Sequence, residues 1–560
     1  MTKKSKNILS LKSNEVLDFF MKSEQYHGFE LQEYFDFDKV LLYVRESIGE
    51  KLYDECLTDI RPDDLPNVNL DILLNKDGHY AVRPLILANP FLYYFLVREV
   101  CSENNWQVIK ELFEKFKVPH ITSCAIPVIP NEKEAFHKAT TINNWWNSME
   151  QRSIELSLEY RYMFVTDITN CYGSVNPQTF DWAFSLKDTS HAKGIQSPIA
   201  KNIQKFLCAL QQGRNIGIPQ GSAIFDFVGE IILGYADLLL HEALQEKAKE
   251  YEEQGKAFPD YEIIRYRDDY RIFCSNKDTL EEISYILQKV LEKLNFRMNS
   301  QKTKISESIV MDAVKSDKLA YIYNTPIFNK KGVDFDSYEK HLLYILMFSR
   351  QYPDSGSVRI MLSDIDKRIE KHLRSFDEKN NSKAENWESI DLDEEAKPAK
   401  SEGVFLEQKT YKRPKYIPGG SIRALSAVCT QIALENVGCV HYALRIISRM
   451  IDSLKDMKEK QSIIDLVYNK LCNQPNSDYN QLWLQNMTYT QDKKKGASPY
   501  SLRLCQLVVG KKVQPLWNND WLDFKLAVNL RYDSIVNKET LKKVTPVIMF
   551  RETRMYNDYL

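Results

Sequence analysis

The chain has 560 residues, 43% of them hydrophobic and 27% charged, with a formal net charge of −2. Such values fit a soluble protein of about two to four domains and leave nucleic-acid binding to local basic patches, not to a basic whole. Ten cysteines occur without any Cys-x-x-Cys pair, which argues against a zinc module or disulfide framework and for a reducing cytoplasm. The basic start, Met1 to Lys6, precedes no apolar core of signal-peptide length. The greasiest stretch, 223–240, is broken by Asp226, Glu230 and Asp237, so no membrane span is expected.

Residues 1–75 read as a helical N-terminal extension with breakers at Pro62 and Pro66. Asp63-Asp64 lies between those prolines without apolar flanks and reads as solvated surface. Asp77-Gly78 then signals a hairpin turn, and Arg83-Pro84-Leu85-Ile86-Leu87 a strand. A guanidinium at Arg83 suits phosphate oxygens, although an ordinary exposed arginine fits this stretch equally well. Helical spacing follows over 91–116 and 142–158.

Tyr162 to Val165 reads as a strand ending in Asp167, with Tyr172 five positions later. Gly213 to Ser222 is a glycine-rich loop opening a helix over 223–244; without a Gly-Lys-Ser/Thr ending it is no P-loop. On that helix Asp226, Glu230 and Asp237 read as a polar face. Next, Ile263 to Phe273 reads as strand, acidic turn, strand, with Asp268-Asp269 at the turn. Adjacent carboxylates repel, and a divalent cation makes their placement between apolar strands sensible. Asp167, from a second strand, would complete a carboxylate set able to hold two cations about 3.5–4 Å apart. A helix over 280–294 leads to Asn299-Ser300-Gln301-Lys302, where a lysine can serve as general acid.

Helical spacing dominates from 336 onward. Residues 376–404 hold nine acidic and four basic residues, and read as a mobile linker. Two stretches interleave basic and aromatic residues, as single-stranded nucleic acid requires. One includes Lys412, Arg413 and Lys415, the other Lys493, Lys494 and Lys495. A solvated helix face is the alternative for both.

In order, these stretches give Asp167-x-x-x-x-Tyr172, Pro219-Gln220-Gly221, Tyr266-x-Asp268-Asp269 and Asn299-x-x-Lys302. That series resembles reverse transcriptases over about residues 76–310. Tyr266 to Phe273, the Ser222 to Glu230 helix start and a helical C-terminal half without an endonuclease or maturase signature resemble the bacterial abortive-infection and defence-associated subgroup. The resemblance implies an α+β fold: right-hand fingers and palm over 76–330, then an all-α helical-repeat domain over 331–560 containing the 376–404 linker.

It further implies that Asp167, Asp268 and Asp269 hold two Mg²⁺ ions, which Mn²⁺ can replace, with the Ile168 carbonyl reaching one. Tyr172 would be the steric gate favouring dNTPs, Gln220 and Gly221 would line the nucleotide, Arg83 would contact the triphosphate, and Lys302 matches the motif lysine. Arg267 departs from the family, which usually carries a small or apolar residue there. The implied activity is RNA-directed DNA synthesis in antiphage defence, on an associated non-coding RNA, by a homo-oligomer. Untemplated or protein-primed synthesis is the near alternative, with Tyr556 and Tyr559 as candidate primers. An inactive RNA-binding scaffold is the alternative of another class.

Overall fold

The computed structural model describes residues 6–75, 82–129, 146–186, 197–324, 335–353, 355–384, 419–454, 456–510 and 515–542. Two antiparallel strands, β1 (Leu70–Asn75) and β2 (Val82–Leu87), form a hairpin near the front of the chain. β1 lies inside the segment that read as helical. Its first residues, Leu70-Asp71-Ile72, alternate buried and exposed, and that period of two wins over helix.

A five-stranded sheet carries the centre of the molecule. It comprises β3 (Ile121–Ser123), β4 (Tyr162–Asp167), β5 (Tyr261–Tyr266), β6 (Asp269–Cys274) and β7 (Lys304–Ser306), in the order β3-β5-β6-β4-β7. All neighbours are antiparallel except β3 and β5. Because side chains alternate across a strand, the sheet has two differently covered faces. Phe164, Ile263, Tyr270 and Ile272 join the main core, while Met163, Ile264 and Phe273 pack with Met149, Leu156, Tyr160 and Ile309 in a smaller cluster.

Two helices are built against the main-core side. Ala223–Glu253 extends beyond the expected end at 244, and its first half is buried all round. Lys277–Lys293 starts where the Asn276 side chain accepts from the Thr279 amide at 2.9 Å, the usual device for an orphan N–H at a helix start.

The C-terminal half is helical, with Phe335–Gln351, Gly356–Ala384, Gly419–Glu435, Val440–Asp452, Met457–Cys472 and Asp478–Lys495 as its main elements. Helix Gly356–Ala384 runs into the first residues of the expected linker; 385–418 lie outside the described residues. Buried Asp366 ties two helices together by accepting from Arg445 at 2.8 Å and Arg449 at 2.5 Å.

The segment after the last long helix returns to the front of the chain. Asp36 N donates to Ile535 O at 2.8 Å, Thr58 N to Trp521 O at 2.8 Å, and Asn537 N to Tyr34 O at 2.7 Å. Buried Trp517 donates its indole N–H to Leu87 O at 3.0 Å, fastening β2. One hydrophobic core therefore runs from Ile8 to Leu541. No disulfide is formed among the described residues. Among the described residues no helix is long and apolar enough to cross a membrane.

Asp63 departs from the expected solvated surface. It is half-buried in a short turn of helix, its Oδ1 has no hydrogen-bond partner, and burial together with the Asp64 charge pushes its pKa up. Asp64 is exposed, as expected.

Candidate active site

β5 and β6 are joined by a two-residue turn, Arg267-Asp268, closed by the Tyr266–Asp269 pair. Arg267 has φ +54°, a value that this kind of turn normally assigns to glycine. The ladder between β4 and β6 sets Asp167 directly opposite Asp269. One step on, the Ile168 amide donates to the Asp268 carbonyl at 3.1 Å. Asp167 and the adjacent pair Asp268-Asp269, far apart in the chain, thus meet at one end of the sheet, as β-ladder spacing of about 4.5–5.5 Å between paired Cα atoms demands. Ile168 itself is buried.

Crowding shows in the electrostatics. Burial raises the Asp268 pKa, and the Asp167 charge adds to it. Desolvation by the surrounding chain and then the Asp268 charge push Asp269, whose side chain still reaches solvent, up to about 6. Asp167 is 7% exposed; its Oδ2 accepts from Lys302 Nζ at 2.7 Å, while buried Oδ1 has no hydrogen-bond partner. The lysine is placed by the loop beneath it. Asn299 N donates to Asp167 O at 2.9 Å, and Thr303 Oγ1 sits 2.7 Å from Thr166 Oγ1. Contact with Asp167 raises the Lys302 pKa.

An orphaned carboxylate oxygen beside two mutually repelling carboxylates fits a hard divalent cation. Among the described residues no three His, Cys, Asp or Glu side chains are already gathered as a metal cage.

Tyr172 lies on the short helix Cys171–Ser174, its ring set against Gly229 of the long helix. Burial holds its hydroxyl well above the ordinary pKa, with Asp226 adding to the effect. The Pro219-Gln220-Gly221 loop is pinned from two sides. Ile218 N donates to Tyr172 O at 2.8 Å, and Ile86 N of β2 donates to Gln220 O at 2.9 Å. Gly221 has φ +134° and any Cβ there would run into the Ile86 carbonyl, so glycine is required. Half-buried Arg83 stands on the same strand as Ile86. The structure thus brings Asp167, Asp268, Asp269 and Lys302 together, and joins Tyr172 to the Gln220–Gly221 loop and that loop to the strand of Arg83.

Lys493, Lys494 and Lys495 are exposed on the last turn of Asp478–Lys495, in the helical half, with Lys493 Nζ 5.7 Å from the Tyr489 ring centroid. Lys412, Arg413, Lys415, Tyr556 and Tyr559 lie outside the described residues.

The polar-face reading of Asp226, Glu230 and Asp237 is corrected. Glu230 and Asp237 are each 2% exposed, and between them lies Arg265, wholly buried. Arg265 Nη2 is 2.6 Å from Glu230 Oε1 and 2.7 Å from Asp237 Oδ2. Asp226 instead accepts from Arg267 Nη2 at 2.7 Å. The available signal was Arg265 at an inward position of an apolar strand, where a charge demands partners.

Residues 112–335 match the family model described as reverse transcriptase (RNA-dependent DNA polymerase). That segment is 224 of the 560 residues, and over it the chain is similar to a reverse transcriptase domain. Asp167, Tyr172, Gln220, Gly221, Asp268, Asp269 and Lys302 all fall within the matched segment, whereas Arg83 precedes it. No curated protein matches the chain.

Similar solved structures include three of telomerase from Candida tropicalis. The apo form truncated from its C-terminal domain is 15% identical, with 45% of this chain and 51% of that one covered and a TM-score of 0.26. The complex with a TWJ fragment of telomeric RNA is 14% identical, covering 72% and 65%, at a TM-score of 0.23. The apo enzyme is 14% identical, covering 77% and 74%, at 0.27. This chain thus spans about half the length of the first and under two thirds of the second.

Proposed function

We propose that the chain is an RNA-directed DNA polymerase that adds dNTPs by two-metal nucleotidyl transfer. The observation that carries this reading is the meeting of Asp167, Asp268 and Asp269, with the orphaned Asp167 Oδ1. Asp167 and Asp268 would hold Mg²⁺, with Asp269 and the Ile168 carbonyl in support. Bound there, Mg²⁺ or Mn²⁺ lowers the pKa of an attacking 3′-hydroxyl and neutralises charge on the triphosphate and pyrophosphate. Tyr172 lies under the sugar and clashes with a 2′-hydroxyl. Gln220 and Gly221 line the nucleotide, and Arg83 reaches the triphosphate. Lys302, raised in pKa and so protonated at neutral pH, holds a proton for the leaving oxygen.

The sequence resemblance extends the proposal to antiphage defence, with an associated non-coding RNA as template, in a cytoplasmic homo-oligomer. It also supports the division into a 1–75 extension, 76–330 fingers and palm, and a 331–560 helical domain, in which exposed Lys493, Lys494 and Lys495 offer nucleic-acid contacts.

The test uses the purified full chain, labelled dNTPs, Mg²⁺ and a primed RNA, with sequencing of co-purified nucleic acid. The reading expects cDNA of a defined RNA, abolished in Asp268→Asn/Asp269→Asn together with protection from phage. Product of random sequence, or covalently attached to protein, would favour the untemplated or protein-primed alternative. A variant that still protects would point to the scaffold.

A further inference from the structure

We propose that Arg265 is a positioning residue that aims the Asp268 carboxylate; this rests on the polymerase reading above. Its side chain is wholly buried, and every guanidinium N–H is used. Nε donates to Asp237 Oδ1 and Oδ2 at 3.0 and 2.9 Å. Nη2 is shared between Glu230 Oε1 and Asp237 Oδ2. Nη1 donates to Glu230 Oε2 at 3.1 Å and, with its other hydrogen, to the Arg267 carbonyl at 3.1 Å. Ser123 Oγ and Tyr270 OH complete the acids, at 2.6 Å from Glu230 Oε1 and 3.2 Å from Asp237 Oδ1.

Stability alone does not call for this cluster, because well-packed apolar residues of similar volume commonly serve as well as a buried ion triad. The bond to Arg267 O leaves the triad and enters the turn. A peptide unit is planar, so holding the Arg267 carbonyl fixes the plane that ends at the Asp268 Cα. That matters here because Arg267 sits at φ +54°, from which an unbraced turn would relax. The Arg267–Asp226 pair ties the same turn to the same helix a second time. Since that helix begins at Ala223, two residues after Gly221, one rigid element sets both the glycine loop and the carboxylate turn.

Two variants test this in the full chain. Arg265→Met with Glu230→Met, Asp237→Leu and Tyr270→Phe replaces the whole cluster by apolar groups; Arg265→Lys keeps a charge but not the fork. Thermal melts report folding, Mn²⁺ titration followed by electron paramagnetic resonance reports cation binding, and primer extension against Mg²⁺ concentration reports activity. Groups that orient metal ligands typically contribute about 10–100-fold in affinity or activity. The expected result is a folded variant with Mn²⁺ affinity and half-activating Mg²⁺ shifted by about that factor, and a dNTP KM at saturating Mg²⁺ close to wild type. A folded variant with wild-type Mn²⁺ binding and Mg²⁺ dependence overturns the proposal. If the apolar variant does not fold, Arg265→Lys decides by the same readouts. Wild-type protein that polymerises nothing sinks the functional reading, and the Mn²⁺ titration still decides the role of Arg265.

Discussion

Gly229→Ala tests how the proposed nucleotide pocket is shaped. A Cβ at Gly229 would lie 2.6 Å from Tyr172 Cε1 and 3.3 Å from Cδ1. Carbon atoms rest at about 3.5–4.0 Å, so the ring must retreat by roughly 1 Å. The ring must shift away from the helix, which on the proposed reading alters the space beside the incoming sugar. A misplacement of about 1 Å at a reacting centre can cost on the order of 100-fold in rate. Alanine in place of glycine also gains about 1 kcal/mol of helix propensity, so the fold should not suffer in proportion. Single-nucleotide incorporation on a primed RNA would measure kcat/KM for a dNTP and the matching rNTP. Gly229→Ala should lower the dNTP value by about 10–100-fold while keeping the preference for dNTP. Tyr172→Val should lose that preference instead, and Gly229→Ala/Tyr172→Val should resemble Tyr172→Val alone, because the clashing ring is gone. Wild-type kinetics in Gly229→Ala, or simple addition of the two effects in the double variant, would refute the reasoning.

Asp269→Asn should stabilise the cation-free protein near neutral pH. Its folded pKa of about 6 exceeds the ordinary 3.8, so ionising it opposes folding. That cost is absent below about pH 4, grows between 4 and 6, and is complete above 6. Solvent screening at this exposed residue reduces it to about 1 kcal/mol, and urea titrations at pH 4 and 7.5 should show the gain at the higher pH alone. Arg267→Gly relieves a positive φ worth about 1 kcal/mol and loses a part-exposed ion pair worth at most about the same, so stability should change by less than about 1 kcal/mol. A larger loss on denaturation would mean that the Asp226 pair matters more than its exposure suggests. Trp517→Ala should cost about 3–5 kcal/mol in a denaturant titration, since it empties a buried site and leaves Leu87 O without its donor. A loss under about 1 kcal/mol would show that the returning segment folds apart from the β1–β2 hairpin.

Much of the site could be read from the sequence because its local chemistry is explicit. Tyr162 to Val165 is β-branched and aromatic before Asp167, and Asp268-Asp269 sits between two such runs, so hairpin and carboxylates followed from pattern alone. Gly221 announced a close approach, though not that the neighbour is Ile86. The acids of the long helix were misread because a polar stripe and a buried ion cluster have the same spacing. Positions 226, 230 and 237 share one helix face in either case, and the partner that decides between them, Arg265, is supplied by a strand 28 residues beyond Asp237. Least legible was the return of residues 515–542 to the front of the chain. Bonds such as Tyr43 OH to Leu526 O, separated by 483 positions, leave no periodic trace.

The bond from Asn89 Nδ2 to Asn519 Oδ1 spans 430 positions and sits where β2 meets the returning segment. At ribosomal speeds of about 5–20 residues per second, Asn89 is made roughly 20–90 s before its partner exists. During that interval the hairpin lacks the Trp517 wall and exposes Leu85 and Leu87, residues that the finished protein buries. A nascent chain would therefore emerge with this apolar edge open to its neighbours until the last tenth of the sequence is made.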